Sequence, residues 1–183
     1  VSNNASVPNV VVGIGSEVPT DPQPARFRRA TGIEGPTIIY VGRIDENKGC
    51  HELFEYFQRY ARTAPELTLV LVGNPVMPVP DHPQIRHLGF VSDLEKFDAM
   101  AAAELLVMPS YYESLSMVTL EAWALGRPVI ANGGCDVLAG QCVRSNAGLF
   151  YEGYEEFAEA LHTILAHSAL RRALGENGRT YFN

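Results

Sequence analysis

The chain has 183 residues, 46% of them hydrophobic and 19% charged, with a formal net charge of −7. That length suits one domain with a sizeable core, and the composition is that of an ordinary globular chain. No apolar run is long enough for a membrane-spanning helix, and an acidic chain without a Lys/Arg run lacks the electrostatic footprint of a nucleic-acid binder.

In chain order, residues 1–35 read as a leading apolar strand, Val10-Val11-Val12-Gly13-Ile14, followed by a surface linker marked by Pro19, Pro22 and Pro24. From residue 36 to 183 a single rhythm takes over. Thr37 to Gly42 is a short buried strand, and His51 to Arg62 has helical spacing, with Leu53, Phe54, Phe57 and Tyr60 recurring. Leu67 to Gly73 is a second buried strand and Ile85 to Leu88 a brief third. Asp93 to Ala103 is helical and Leu105 to Met108 a strand; Met117 to Leu125 is helical and Pro128 to Ala131 a strand. Gly148 to Tyr151 is the last strand, followed by a helix from Tyr154 to about His167 and another from near Ser168. Apolar strands alternating with amphipathic helices predict an α/β fold, a Rossmann-like doubly wound parallel sheet covered on both faces. In such sheets ligands bind beyond the carboxyl ends of the strands, so the residues just after each strand are the ones to search.

After the first strand comes Gly42-Arg43-Ile44-Asp45-Glu46-Asn47-Lys48-Gly49. An arginine at a strand tip and a lysine at the start of the next helix suit a diphosphate: arginine offers a planar fork of donors, lysine a mobile point charge, and the helix its positive end. The alternative is two exposed cations paired with Asp45 and Glu46. After the strand ending at Met108 comes a Glu-x7-Glu motif, Glu113 to Glu121, across a loop-to-helix junction. Ser116 is the expected N-cap, which would leave the amides of Met117, Val118 and Thr119 as outward donors. Phosphates on that tip would let a ligand offer hydroxyls to both carboxylates; the alternative makes Glu113 a loop residue and Glu121 a solvated helix residue.

Taken together, Gly-Arg-x4-Lys-Gly, a Val-Gly strand end, the Glu-x7-Glu helix tip, Gly-x-Pro-Val-Ile and Asn132-Gly133-Gly134, in this order, resemble the carboxyl-terminal, donor-binding domain of GT-B glycosyltransferases of the GT4 type, the group 1 glycosyl transferases. The resemblance spans about Val10 to His167. It implies one half of a GT-B fold, transfer of a hexosyl-type group from a nucleoside diphosphate sugar to an acceptor hydroxyl with retention of configuration, and no cofactor. By that resemblance Arg43 and Lys48 grip the donor diphosphate and stabilise its departure, Glu113 bonds hydroxyls of the transferred sugar, and Glu121 bonds the ribose. The segment Ser114, Leu115, Ser116, Met117 and Val118 touches sugar and phosphate. Arg86 borders the base through its backbone, Asn74 lines the pocket, and Gly15 lies close to the phosphate. Arg43, Lys48 and Glu113 would then be catalytic in effect.

The chain departs from the family pattern in two places. Gly13-Ile14-Gly15-Ser16-Glu17 stands where an Asn-Gly-Val-Asp loop is common, and Ser114-Leu115 follows the first glutamate where Gly-Phe is usual. The acceptor-binding amino-terminal half, with the family's histidine, is absent, so these residues would be inactive alone. Nothing in these residues excludes a non-catalytic nucleotide-sugar-binding module; half of a GT-B epimerase or phosphorylase is disfavoured, since such epimerases normally lack the Arg/Lys plus Glu-x7-Glu combination and no pyridoxal-binding lysine context is present. No metal site is expected, since Asp-x-Asp and HExxH motifs are missing and the five histidines do not cluster. Tyr111 and Tyr112 read as aromatics buried under the loop, Trp123 as core, and His87 as a strand residue with a satisfied ring. The three cysteines form no CxxC pair and no leader precedes Val1, so a cytoplasmic place is expected, with any contact at the inner membrane made through the absent half.

Overall fold

A computed structural model describes residues 16–183; the leading strand at residues 10–14 and Gly15 lie outside them. Six strands form one parallel sheet in the order β3-β2-β1-β4-β5-β6: β1 Thr37–Val41, β2 Thr68–Val72, β3 Ile85–His87, β4 Leu105–Met108, β5 Val129–Asn132 and β6 Gly148–Tyr151. The helices are α1 Pro24–Thr31, α2 Cys50–Ala61, α3 Asp93–Ala102, α4 Met117–Ala124, α5 Asp136–Ser145, α6 Tyr154–Ala166 and α7 Ser168–Phe182. Among them none is long and apolar enough to cross a membrane.

The continuous apolar runs follow from burial on both faces. In β1 all five residues are buried: Ile39 and Val41 join the core beneath α1, α3 and α4, while Ile38 and Tyr40 join the core beneath α2 and α6. Trp123 is the largest fully buried side chain, and its indole donates to Ala147 O at 3.0 Å. Helix α7 closes against α4 through two glycines. A Cβ at Gly175 would lie 2.2 Å from Gly126 O, and one at Gly178 would lie 2.6 Å from the Trp123 ring.

Two helices were not expected from the sequence. Residues 24–31, read as linker, form α1, because Pro24 occupies the first helical turn, where a missing N–H costs nothing. The helix is fastened by Arg26, paired with the buried Asp98 of α3, and by Arg28, which donates to the carbonyls of Ile33, Glu34, Gly35 and Ala102. Helix α5 follows the Asn132-Gly133-Gly134 turn; it carries Gly140 and Ser145, weak helix formers, and is held by burial of Leu138 and Cys142.

Strand order reverses direction between β1 and β4. The loops leaving these two strands therefore diverge to opposite faces and leave a crevice at the carboxyl edge.

Candidate functional site

The β1 loop is built to stay close to its neighbours. Gly42 N donates to Val72 O, Ile44 N to Asn74 O and Val76 N to Ile44 O, each at 2.9 Å, so the loops after β1 and β2 are stapled together. Gly73 makes that possible: its φ is +133°, and a Cβ there would lie 2.0 Å from Gly42 O. From below, the Tyr40 hydroxyl donates to Arg43 O at 2.7 Å. Burial pushes the Tyr40 phenol well up, so it remains a neutral donor.

Arg43 projects from this loop, its side chain 61% exposed, and pairs with Asp45. Asp45 is buried and caps the short 3-10 turn Glu46–Lys48, accepting from Lys48 N at 2.9 Å. Burial works to raise its carboxyl, but the Arg43 guanidinium and the turn's amides outweigh it and hold Asp45 below the usual carboxylate range. Gly49, at φ +69°, then starts α2; a Cβ there would lie 2.1 Å from Pro109 O. The start of α2 is thus pressed against the β4 loop, across the crevice.

On that side Lys48 Nζ lies 2.7 Å from Glu113 Oε1. Ser116 caps α4 as expected, accepting from Thr119 N at 3.2 Å. That bond uses one of the three amides expected to be free, leaving those of Met117 and Val118 as the donors at the tip. Asn132, buried at the end of β5, donates to Pro109 O at 3.0 Å and accepts from Gly134 N at 2.9 Å, which fixes the loop from a third strand.

Glu121 is 7% exposed, not solvated, because α4 is buried on nearly every side. Its Oε1 accepts from Ser16 Oγ at 2.8 Å, and Lys96 Nζ of α3 stands 3.3 Å from both carboxylate oxygens. Only the bond to Oε1 is well directed. Oε2 is enclosed and, despite the nearby ammonium, makes no hydrogen bond among the described residues.

Two hollows open on this edge. One, of about 390 Å³, is lined by Arg43, Asn74, Lys96 and the exposed Phe90; the other, of about 490 Å³, by Lys48, Tyr112, Glu113 and Ser114. The structure so gathers Arg43, Lys48, Asn74, Glu113, Ser114, Ser116, Met117, Val118 and Glu121 on one edge, with Leu115 half-buried in the loop between. Arg86 is exposed on the edge strand β3, outside the linings of both hollows. Gly15 lies outside the described residues, although the next residue, Ser16, rests on Glu121.

Trp123 is core and the His87 ring is satisfied, its Nε2 2.8 Å from Gly73 O, as expected. Tyr111 and Tyr112 are not buried under the loop: they are 38% and 84% exposed, because the core beneath is already filled by β4 and β5. Lys96 and Ser16 were missed. Lys96 reads in sequence as one charge on a solvated helix face, yet it is one of only two lysines in the chain, the other being Lys48.

Known proteins resemble this chain in sequence and in fold. The family described as Glycosyl transferases group 1 matches residues 35–167. The chain is 32% identical to a D-inositol 3-phosphate glycosyltransferase of Kribbella flavida, over 94% of its own length and 46% of the relative's, and so spans about half of that protein. The C-terminal domain of a glycosyl transferase group 1 family protein from Francisella tularensis superposes with a TM-score of 0.71 at 23% identity, covering 89% of this chain and 91% of that one. An Anabaena protein solved in complex with UDP superposes with a TM-score of 0.73 at 20% identity, covering 87% and 47%.

Proposed function

The chain belongs to the group 1 glycosyl transferases, and from that premise we propose that it is the donor-binding half of a two-domain enzyme that moves a hexosyl-type group from a nucleoside diphosphate sugar to an acceptor hydroxyl. The observation that carries the reading is the crevice between β1 and β4. There Lys48 pairs with Glu113 in the loop that leads to the Ser116-capped tip of α4, Arg43 projects from the β1 loop beside Asp45, and Glu121 lies buried further along α4.

In this reading Arg43, Lys48 and the free amides of Met117 and Val118 take the diphosphate. All are donors placed where negative charge grows as the sugar–phosphate bond breaks. Glu113, released from Lys48, accepts from hydroxyls of the transferred sugar, and Glu121 accepts from the ribose. Asn74 and Ser114 line the two ends of the bound donor, and Arg86 borders the base. Arginine, lysine and helix-tip charge suffice to stabilise the leaving group, which favours metal-independent transfer; retention of configuration is the family expectation carried here. The acceptor half is proposed to come from the other part of a longer polypeptide, closing over the crevice and excluding water. Two facts support this division: the chain spans 46% of its curated relative, and it is coextensive with a solved C-terminal domain. That an Anabaena protein of this fold is solved in complex with UDP supports a nucleotide as the ligand.

Titration calorimetry with UDP, GDP and ADP tests the reading. One nucleotide should bind, Arg43→Ala should weaken diphosphates far more than nucleosides, and Glu121→Ala should weaken both. Undiminished diphosphate affinity in the Arg43 variant would sink the assignment.

A further inference from the structure

The chain's cations are twelve arginines and two lysines, and the lysines are Lys48 and Lys96. They stand on different elements, one in the turn after β1 and one in α3. Each is paired with one glutamate of the Glu-x7-Glu motif: Lys48 with Glu113 at 2.7 Å, Lys96 with Glu121 at 3.3 Å. Lysine is therefore used at this edge and nowhere else.

The position of Lys96 is built. Ser92 and Glu95 form a capping box, with Ser92 N donating to Glu95 Oε2 at 2.9 Å, and this fixes the first turn of α3. Lys96 follows directly and turns into the hollow that holds Arg43 and Asn74. Its side chain is 18% exposed. It also lies 3.3 Å from Asp93 Oδ1, but Asp93 is 88% exposed and solvent-screened, so the enclosed Glu121, at 9%, is the stronger partner. Among the described residues the ammonium stands 3.3 Å from both oxygens of Glu121, with a directed bond to Oε1 only, and Oε2 is enclosed without a hydrogen bond. A buried acceptor in that state has capacity for a further donor.

A carboxylate alone can only accept from a hydroxyl. A carboxylate beside an ammonium gives the same hydroxyl an acceptor for its proton and a donor for its oxygen. Two neighbouring hydroxyls can satisfy both partners at once, and the diol of a ribose has that chemistry.

We propose that Lys96 is a further donor-binding residue, which with Glu121 clamps the ribose diol and sets a preference for ribonucleotides over 2′-deoxyribonucleotides. The proposal rests on the donor-site reading of Glu121 given above. A lysine that merely steadied Glu121 would matter equally for both sugars; a lysine that touches the hydroxyl pair matters more when both hydroxyls are present.

The test is a titration of the wild type, Lys96→Met, Lys96→Gln and Lys96→Arg. The probes are the tightest of UDP, GDP and ADP, its 2′-deoxy counterpart, and inorganic pyrophosphate. Both uncharged variants should lose about tenfold in affinity for the ribonucleotide, the scale of one hydrogen bond from a charged donor. Their affinity for the deoxy form should fall much less, so that the ratio between the two collapses. Lys96→Arg should keep part of the ratio. Unchanged pyrophosphate binding, carried by Arg43 and Lys48, reports an intact fold. Equal losses for the two sugars, or no loss, would overturn the role of Lys96 while leaving the donor site standing. Failure of every nucleotide to bind the wild type would overturn the donor reading and this proposal with it.

Discussion

Lys48 Nζ and Glu113 Oε1 meet at 2.7 Å across the crevice, joining the turn after β1 to the loop after β4. Both are proposed to bind the donor, and in this pair each occupies the other's binding capacity. In that proposal, binding exchanges one ion pair for two sets of contacts: diphosphate takes the ammonium, and the freed carboxylate turns to the sugar.

Glu113→Gln separates those roles. With the competing carboxylate removed, Lys48 is free for phosphate, and a bare nucleoside diphosphate should bind about two- to fivefold tighter, the range for a partly exposed ion pair. Sugar transfer by the full enzyme should fall. Calorimetry on the diphosphate and turnover on the donor check the two halves; weaker diphosphate binding would contradict the exchange.

Gly49→Ala should damage both fold and site. Its φ of +69° is costly for alanine, and the added Cβ would lie 2.1 Å from Pro109 O, a backbone atom. The left-handed conformation costs roughly 1–2 kcal/mol and the overlap about 1–3 kcal/mol. The melting temperature should drop by roughly 5 °C or more, with loss of nucleotide binding, because Lys48 and Glu113 would be driven apart.

Glycines inside helices usually gain about 0.5–1 kcal/mol when replaced by alanine. Two such positions should respond with opposite signs. At Gly140 in α5 the new Cβ meets only the mobile end of Arg144, at 3.0 Å, so stability should rise. At Gly175 in α7 it meets Gly126 O at 2.2 Å, and overpacking of about 1–3 kcal/mol should win. Thermal unfolding of the two variants decides it; a gain at Gly175 would mean that α7 shifts freely on α4.

Asp98 ties α1 to α3. Its hydrogen bond from Arg26 lowers its carboxyl pKa; burial opposes this, and the Gln23 amide adds to the lowering. A folded pKa below the unfolded value of about 3.9 means that the contribution is fully present above that value and is lost as pH falls through the folded one. The difference in melting temperature between wild type and Asp98→Asn should be wide near neutral pH and close below about pH 4. A difference that stays constant into acid would show that the pair contributes nothing through its charge.

The strands were legible because burial on both faces writes them as unbroken apolar runs, and Tyr40 in β1 does not interrupt that signal. The sequence places Arg43, Lys48 and Glu113 after parallel strands and Glu121 inside α4, and the structure has them there, while the roles proposed for them rest on the family resemblance. What escaped depends on tertiary context. Pro22 and Pro24 look alike in sequence, but only Pro24 falls in a helical first turn, and α1 persists through Arg26 and Arg28, whose partners are distant in the chain. The burial of Glu121 requires knowing that Ser16 and Lys96 close over it, and the exposure of Tyr112 requires knowing that the space beneath is filled. No periodicity records either.

Within these residues the only side-chain amines are those of Lys48 and Lys96, each part-exposed at the crevice. Amine-directed reagents, acylating or carbamylating, therefore have no side-chain target elsewhere in this chain. Each adduct neutralises a cation at one end of the proposed donor, and each bound donor shields the amines from the reagent. Occupancy can thus be followed as a change in intact mass, with the chain's own lysines as the label.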